Sequence, residues 1–505
     1  MRDFFSEAAT RRTPRAVLTR KLTIDSRLTI NTFFKENRMR KIISLVLLFI
    51  FPCGLSAQVS QTSSSSQSKL VPQTSLQGSA LEFDFPALQI GVAEYEEGPT
   101  GATVFYFPKK VMAAVDVRGG APGTTYTDGL RLGYDGRWVD AISFAGGSAY
   151  GLEVASGVSA EIREARENAG DWGNIVIVPG AIIFDLGPRR FNTIYPDKEL
   201  GRAALRVART GKFLLGAHGA GRFATQGSYY GDFEYRQYSG QGGAFRQVGP
   251  TKIAVFTVVN AVGAIVDRLG NVVRCHNNSE SSGCGTIADY LKRALDKKTA
   301  VKTSALSNEP APSGFTNNTT ITLVVTNQKL DFWELQRLAV QVHTSMARAI
   351  QPFHTQRDGD ALFAVSTAEV DNPNLEATDL GVLAGEIAWD AVLSSVPPLS
   401  SFENKTVSID TKMSDAYPGR YEFGLGAVLT VTREGNRIFV EATGKNPVYS
   451  FRPNVKEEIF PTSDLDFFSK DRRGDRIRFV KDTNNKVTGL ILNPGQWGLP
   501  ARRIQ

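Results

Sequence analysis

Histidine, cysteine and methionine are scarce in this chain: four, three and five among 505 residues. The histidines stand at 218, 276, 343 and 354. No two of them share the helical spacing of a zinc-binding pair, and no G-x-S-x-G elbow presents a serine. A Ser-His-Asp site has no local signature, and metal chemistry has no evident ligand set. Glycine is plentiful, yet "RGGAPGT" (118–124), "AGGSAYG" (145–151) and "SGQGGAF" (239–245) match neither the P-loop nor the dinucleotide fingerprint. They read as tight turns and close backbone approaches. No cofactor and no metal are expected. The apolar stretch from Ile42 to Phe51 falls well short of the ~20 residues that span a bilayer.

Charge is unevenly placed. Residues 1–57 hold eleven Lys and Arg against four Asp and Glu, which is the whole of the +7 excess; residues 58–505 sum to zero. A nucleic-acid partner is not expected. The basic segment reads as an address. Met39, Arg40 and Lys41 open it, the short apolar core follows, and Leu55-Ser56-Ala57 resembles a small-residue cleavage site. Met39 is then a candidate start, residues 1–57 an upstream segment and signal peptide, and the mature protein periplasmic or secreted without a stable membrane span. A lipid-modified Cys53 is the rival reading, which Phe51 and Pro52 fit poorly. In an oxidising compartment Cys275 and Cys284, in "CHNNSESSGC", have the chance to close a small loop. Two free thiols are the alternative, and His276 alone does not complete a zinc set.

What the chain does contain falls into five stretches. Ser- and Gln-rich residues 58–80 read as a disordered linker. Globular patterning runs over 81–395. "SSVPPLSSFENK" marks a second linker, 396–414, because Pro397-Pro398 break any helix. Residues 415–505 carry short alternating segments separated by turns such as Glu434-Gly435-Asn436 and Asn484-Asn485, as a small all-β barrel or meander would. Within 81–395, "SAYGLEVASGVSAEIREAR" and "DFWELQRLAVQVHTSMARAI" have helical periodicity. Asp331 can cap the second, with Leu335, Leu338, Val342, Met346 and Ile350 as its apolar stripe. His343 on that helix reads as surface or core filler. "IAVFTVVNAVGAIVD" and "ALFAVSTAEV" read as buried strands, so the class is α+β.

One stretch joins pattern to chemistry. In "TNNTTITLVVTN" (316–327) two amides and two threonines precede Ile321, Leu323, Val324 and Val325, a strand made for burial. A hydroxyl at the mouth of such a strand is held rigidly. Thr319 is either an ordinary turn residue or a nucleophile.

"AVDVRGGAPGT", "FAGGSAYGLEVASGV", "IVPGAIIFDL", "TVVNAVGAIVD", "NNTTITLVVTN" and "DGDALFAVSTA" occur in this order. Together they resemble the P1 family of self-processing peptidases (peptidase family S58), with its L-aminopeptidases/D-esterases, β-peptidyl aminopeptidases and nylon-oligomer hydrolases. The resemblance implies an α-β-β-α sandwich of the aminopeptidase/ornithine acetyltransferase type. It also implies that the chain cuts itself between Asn318 and Thr319, and that the freed α-amine of Thr319 activates its own hydroxyl; no histidine is then needed. By the same resemblance Asp358 and Asp360 support the nucleophile, and Asn260 donates to the oxyanion. In the β-peptidyl aminopeptidases a Ser and a Glu replace the two aspartates, so "DGD" points to the nylon-hydrolase-like subgroup. Asp-Gly is also a hairpin signal. Gly146, Gly147, Ser148 and Phe184 are candidates for the substrate pocket; helix–sheet packing explains the first three equally well. Some relatives have a Tyr near Phe184 and a Lys near Ser228, which this chain lacks. The implied substrate is a peptide or aminoacyl amide, and the implied assembly a homo-oligomer of processed heterodimers. Residues 415–505 resemble the DUF3471-type β domain and bring no evident catalytic residue. An acyltransferase of the same fold and a non-catalytic envelope binding protein are the competing readings.

Overall fold

The structure is a computed structural model, and it describes residues 70–167, 174–186, 194–230, 237–274, 284–304, 318–397, 405–408, 415–424, 426–446, 448, 451–470 and 475–504. The expected signal peptide and Cys275 lie outside the described residues. Among those described, no helix is long and apolar enough to cross a membrane. Cys284 is disulfide-bonded.

Residues 81–395 form one bent, nine-stranded sheet. Its strands are β1 (Gln89–Tyr95), β2 (Thr100–Val117), β3 (Thr124–Thr125), β4 (Trp138–Ala145), β5 (Gly180–Ile182), then, after a small ribbon of β6 (Thr225–Gln226) and β7 (Gln237–Tyr238), β8 (Gln241–Val248), β9 (Thr251–Asn260), β10 (Thr319–Gln328) and β11 (Ala361–Val370). The order across the sheet is β8-β9-β10-β11-β2-β4-β5-β3, with β1 beside β2. Strands β9 and β10 are rich in β-branched residues, and every residue of β10 is buried. Such a run suits a strand covered on both faces. Its alternation decides which face is which. Ile321, Leu323 and Val325 join the interior cluster with Phe105, Phe144 and Phe256. Val324 faces the opposite cluster with Leu338 and Ile387. The threonine between them is satisfied locally: Thr322 Oγ1 lies 2.9 Å from Thr257 Oγ1 on β9.

The helices are α1 (Glu153–Ala165), α2 (Lys198–Arg206), α3 (Ile287–Ser304), α4 (Phe332–Ser345) and α5 (Ala377–Ser394), and all but α3 cover the sheet. Val154, Val158 and Ile162 of α1 pack with Leu200 of α2 against Val104 and Ala141. On the other side α4 and α5 bury Leu335, Leu338, Val342, Ala384 and Ile387. Asp331 caps α4 in a capping box: its Oδ1 accepts from Glu334 N at 2.8 Å and Glu334 Oε2 accepts from Asp331 N at 2.8 Å. The α4 stripe is shorter than its period suggests, because Met346 lies in a 3-10 turn and Ile350 in a two-residue strand.

Two boundaries differ from the sequence reading. The tether expected over 58–80 is already pinned at its end, since Gln73 pairs with Glu94 and Ala80–Glu82 pairs with Lys212–Leu214. At the other end Val396 is buried in the α4–α5 core and Val407 N donates to Pro461 O at 2.9 Å, so these two described residues of the second linker are tied to folded structure. Beyond it, eight antiparallel strands from Gly419–Gly424 to Leu499–Arg503 close into a barrel. Tyr417, Tyr421, Phe467 and Phe479 fill its interior.

Candidate active site

Strand register assembles the site. In the antiparallel β9–β10 pair, Asn260 lies opposite Thr319. In the parallel β10–β11 pair, Ile321 lies opposite Ala361, which sets Asn318 beside Asp358 just ahead of both strands. Helix α4 makes the crossover that a parallel pair needs. Residues about a hundred positions apart in sequence thus meet at one end of the sheet.

The 318–319 junction is buried: Asn318 is 1% and Thr319 2% exposed. Thr319 Oγ1 donates to Asn318 O at 2.6 Å. The same carbonyl oxygen accepts the Gly359 N–H at 2.8 Å. A side-chain hydroxyl and a backbone N–H therefore both donate to one peptide carbonyl. Glycine at 359 leaves that room, since a Cβ there would come within 2.7 Å of Thr319 Oγ1 and 2.6 Å of Ala121 O. Gly119 has a matching role. Its missing Cβ would lie 2.2 Å from Asp360 N, and Ala121 N donates to Asp358 O at 2.8 Å. "RGGA" is thus a backbone strip laid against "DGD", a close approach and not a phosphate cradle.

Both aspartates are buried, and each ties strands together. Asp358 Oδ1 accepts from Val262 N at 3.1 Å, next to the Asn260 end of β9. Its Oδ2 accepts from Thr355 N at 2.9 Å and Thr355 Oγ1 at 2.6 Å. Burial first, then the neighbouring Asp360 charge, pushes the Asp358 carboxyl up to about 6, against the pull of the Thr355 and Val262 donors. Asp360 Oδ1 accepts from Thr320 N at 2.7 Å, anchoring the residue after Thr319. In this arrangement both carboxylates hold backbone around Thr319, and neither is hydrogen-bonded to its hydroxyl.

Asn260 is held on both sides of its amide. Oδ1 accepts from Thr225 N at 3.0 Å, and Nδ2 donates to Phe184 O at 3.1 Å. The donor on the Asn318 carbonyl is Gly359, where the resemblance implied Asn260 for the oxyanion. A carboxamide nitrogen carries two hydrogens, so one remains for a second acceptor. Phe184 thus enters through its carbonyl. Gly146, Gly147 and Ser148 sit further out: Gly147 N donates to Asp185 Oδ1 at 2.8 Å and Ser148 N to Ile183 O at 3.0 Å. Asp185 Oδ2 also accepts from Thr100 Oγ1 at 3.0 Å. These contacts make Gly147 and Ser148 a brace between the end of β4 and the chain after β5.

Two histidines that the sequence reading left aside lie behind the site. His354, at φ 56°, puts Nδ1 3.0 Å and its backbone N 3.1 Å from Asp360 Oδ2. Its ring meets the His343 ring edge-on at 4.3 Å, and His343 Nδ1 lies 2.9 Å from Asp116 Oδ2. Burial pulls the His343 pKa down, only partly opposed by Asp116. Asp116 is desolvated too, but the His343 bond and the Arg118 charge outweigh that and hold its carboxyl below the usual range. Of the two readings for His343, surface or core, the core one holds, and the ring is paired with Asp116. A local signal for His354 did exist: "HTQRDGD" places it six residues before Asp360.

The family model for peptidase family S58 matches residues 83–405. The chain belongs to peptidase family S58. It is therefore a hydrolase of the peptidase class. It is 42% identical over 337 residues to a 6-aminohexanoate-oligomer endohydrolase of Paenarthrobacter ureafaciens, covering 65% of this chain and 88% of that protein. An uncharacterized aminopeptidase of Mycobacterium bovis is 37% identical over 278 residues, covering 54% of this chain and 75% of the relative. A solved Burkholderia sp. beta-aminopeptidase gives a TM-score of 0.43 at 16% identity, over 63% of this S58 peptidase and 88% of that chain. Among the described residues no group of His, Cys, Asp and Glu is placed to hold a metal ion.

Proposed function

We propose that this S58 peptidase is a self-processing amide hydrolase with Thr319 as its nucleophile. The observation that carries the reading is the double contact on one buried carbonyl: Thr319 Oγ1 at 2.6 Å and Gly359 N at 2.8 Å from Asn318 O. In the first step Oγ1 attacks the Asn318 carbonyl carbon. The C–N bond breaks, an ester to Oγ1 forms, and the hydroxyl proton ends on the Thr319 nitrogen. Gly359 N–H stabilises the transient oxyanion. Water then cleaves the ester and leaves Asn318 as a carboxylate and Thr319 as a free N-terminus.

Turnover repeats the chemistry on a substrate amide. The α-amine, whose ordinary pKa is near ~8, takes the hydroxyl proton and later hands it to the leaving amine. Asn260 supplies its second amide hydrogen to the substrate oxyanion. Asp360 fixes the start of β10 through Thr320 N, and Asp358 fixes the Asn260 end of β9 through Val262 N. The layering of helices on the folded sheet supports the α-β-β-α sandwich expected of this chemistry.

Identity to the endohydrolase over most of that protein's length, together with the paired aspartates, supports linear ω-amino-acid oligomers as the substrate class. The basic and apolar pattern ahead of residue 58 supports export. Purified protein should yield a second chain whose N-terminal sequence reads Thr-Thr-Ile, and should release shorter products from 6-aminohexanoate oligomers. Aminoacyl p-nitroanilides in the same panel separate an aminopeptidase from an endohydrolase. An active preparation of Thr319→Ala, or an active chain left whole at 318–319, sinks the proposal.

A further inference from the structure

The barrel is gripped by the peptidase at one turn, and that turn leads to Asn260. Residues 493–498 join the last two barrel strands, Val487–Leu492 and Leu499–Arg503. Trp497 is 4% exposed. Its Nε1 donates to Ser239 O at 2.9 Å, its ring stacks on Tyr238 at 5.8 Å, and the Arg274 guanidinium lies 4.9 Å over it. Beside it, Gly498 O accepts from Arg222 Nη2 at 3.1 Å, and Phe223 is part of the barrel's apolar cluster.

The residues Trp497 touches are the back of the ribbon that holds Asn260. Tyr238 pairs with Thr225 across β6 and β7. Thr225 N is the donor to Asn260 Oδ1. Ser239 N donates to Ala224 O at 3.0 Å and Ser239 Oγ to Val259 O at 2.5 Å, so the residues before Thr225 and before Asn260 hang from the same serine. Trp497, Ser239 and Asn260 are all buried, which removes water as a competing partner. The family match stops at residue 405, so the barrel is an addition to the S58 unit.

We propose that Trp497 is a positioning residue: through the β6–β7 ribbon the barrel sets the orientation of the Asn260 amide, so the added domain acts on the chemical step. This rests on Asn260 serving the substrate oxyanion. An indole ring fills the slot and its N–H fixes the ribbon's height; the ring without the N–H does only the first.

The test uses full-length Trp497→Ala, Trp497→Phe and, as a control inside the barrel, Tyr421→Phe, which loses a 2.6 Å bond to Tyr417 O away from the turn. Two readings are taken: hydrogen exchange at the Thr225 amide, and kcat and KM of processed enzyme on one amide substrate. Trp497→Ala should speed Thr225 exchange and lower kcat by about tenfold or more with KM little changed, and Trp497→Phe should fall between it and the parent. Tyr421→Phe should leave both readings at parental level. If Trp497→Ala does not fold, Trp497→Phe decides alone. Parental exchange and kcat in the folded Trp497 variants overturn the proposal, as does an equal kcat loss in Tyr421→Phe. The exchange reading needs no turnover, so an inactive parent would count against the Thr319 mechanism and leave the brace to be judged by Thr225.

Discussion

Inside the barrel, Tyr417 and Tyr421 bury phenol rings whose hydroxyls donate to Asp464 O and Tyr417 O. At the mouth of β10, the Asn318 amide, Thr320 Oγ1, and the Nε2 atoms of His343 and His354 are equally buried and have no protein partner. Each such group costs about 1–3 kcal/mol relative to a satisfied one. These two barrel hydroxyls are satisfied within a few residues of chain or across the barrel, so their burial carries no such cost. The β10 mouth carries unsatisfied groups around a carbonyl with two close neighbours. The difference teaches where this molecule tolerates unsatisfied polar groups: at the buried 318–319 junction, where strands β9, β10 and β11 converge.

The strongest way to break that contrast is to fill the space at the junction. Gly359→Ala should push Thr319 Oγ1 off the Asn318 carbonyl and slow the appearance of the 319–505 chain by about 10²–10³-fold, followed by denaturing electrophoresis after refolding. Wild-type cleavage in this variant would detach Gly359 from the first step. Asn260→Ala comes next. Processing should proceed, because Gly359 serves that step, while kcat on an amide substrate falls by about 10²-fold. A variant that fails to cut itself would move Asn260 into the first reaction.

The third change strikes the other side of the comparison. Phe479→Ala, in the ring cluster with Tyr417, Tyr421 and Phe467, should lower unfolding free energy by about 3–5 kcal/mol. Chemical denaturation reads this directly, and self-cleavage by the folded fraction should keep its rate. The smallest effect concerns pH. Asp358 holds its proton up to about 6 in the folded chain, whereas an unfolded aspartate releases it near ~4. Folding thus binds a proton between those values. The stabilising contribution is complete below about pH 4 and is lost as pH rises through about 6. Asp358→Asn, which cannot titrate, should lose less stability than the parent over that window. Parallel melting curves for the two would remove the carboxyl from the pH response.

Much of the site was legible in residues. The local pattern places Thr319 at the mouth of an apolar strand but leaves it either a turn residue or a nucleophile, and the resemblance chooses between them; Asp331 ahead of a helical stripe announces α4. Asp358 and Asp360 came from resemblance, since "DGD" alone is also a hairpin. Gly359 could be read as a glycine but not as a donor, because every non-proline residue carries the same N–H. His354 and His343 were passed over because their partners, Asp360 and Asp116, are brought to them by packing. Helix α5 was not singled out: Gly381, Ala384, Gly385, Ala388 and Ala391 form a small-residue face that gives little apolar period. Trp497 carries no local signal, because its partners, Tyr238, Ser239 and Arg274, are over two hundred residues away.

By itself the sequence determined the strands, the capped helix, the hydroxyl at the strand mouth and the membership in a self-consistent set of motifs, because these depend on side-chain period and type along a few neighbouring residues. Only the tertiary structure decided that Asn260 faces Thr319, that Gly359 shares the Asn318 carbonyl, and that the barrel reaches the same site through Trp497. Those facts depend on strand register and domain contact, which are set by burial across the whole chain and leave no local mark.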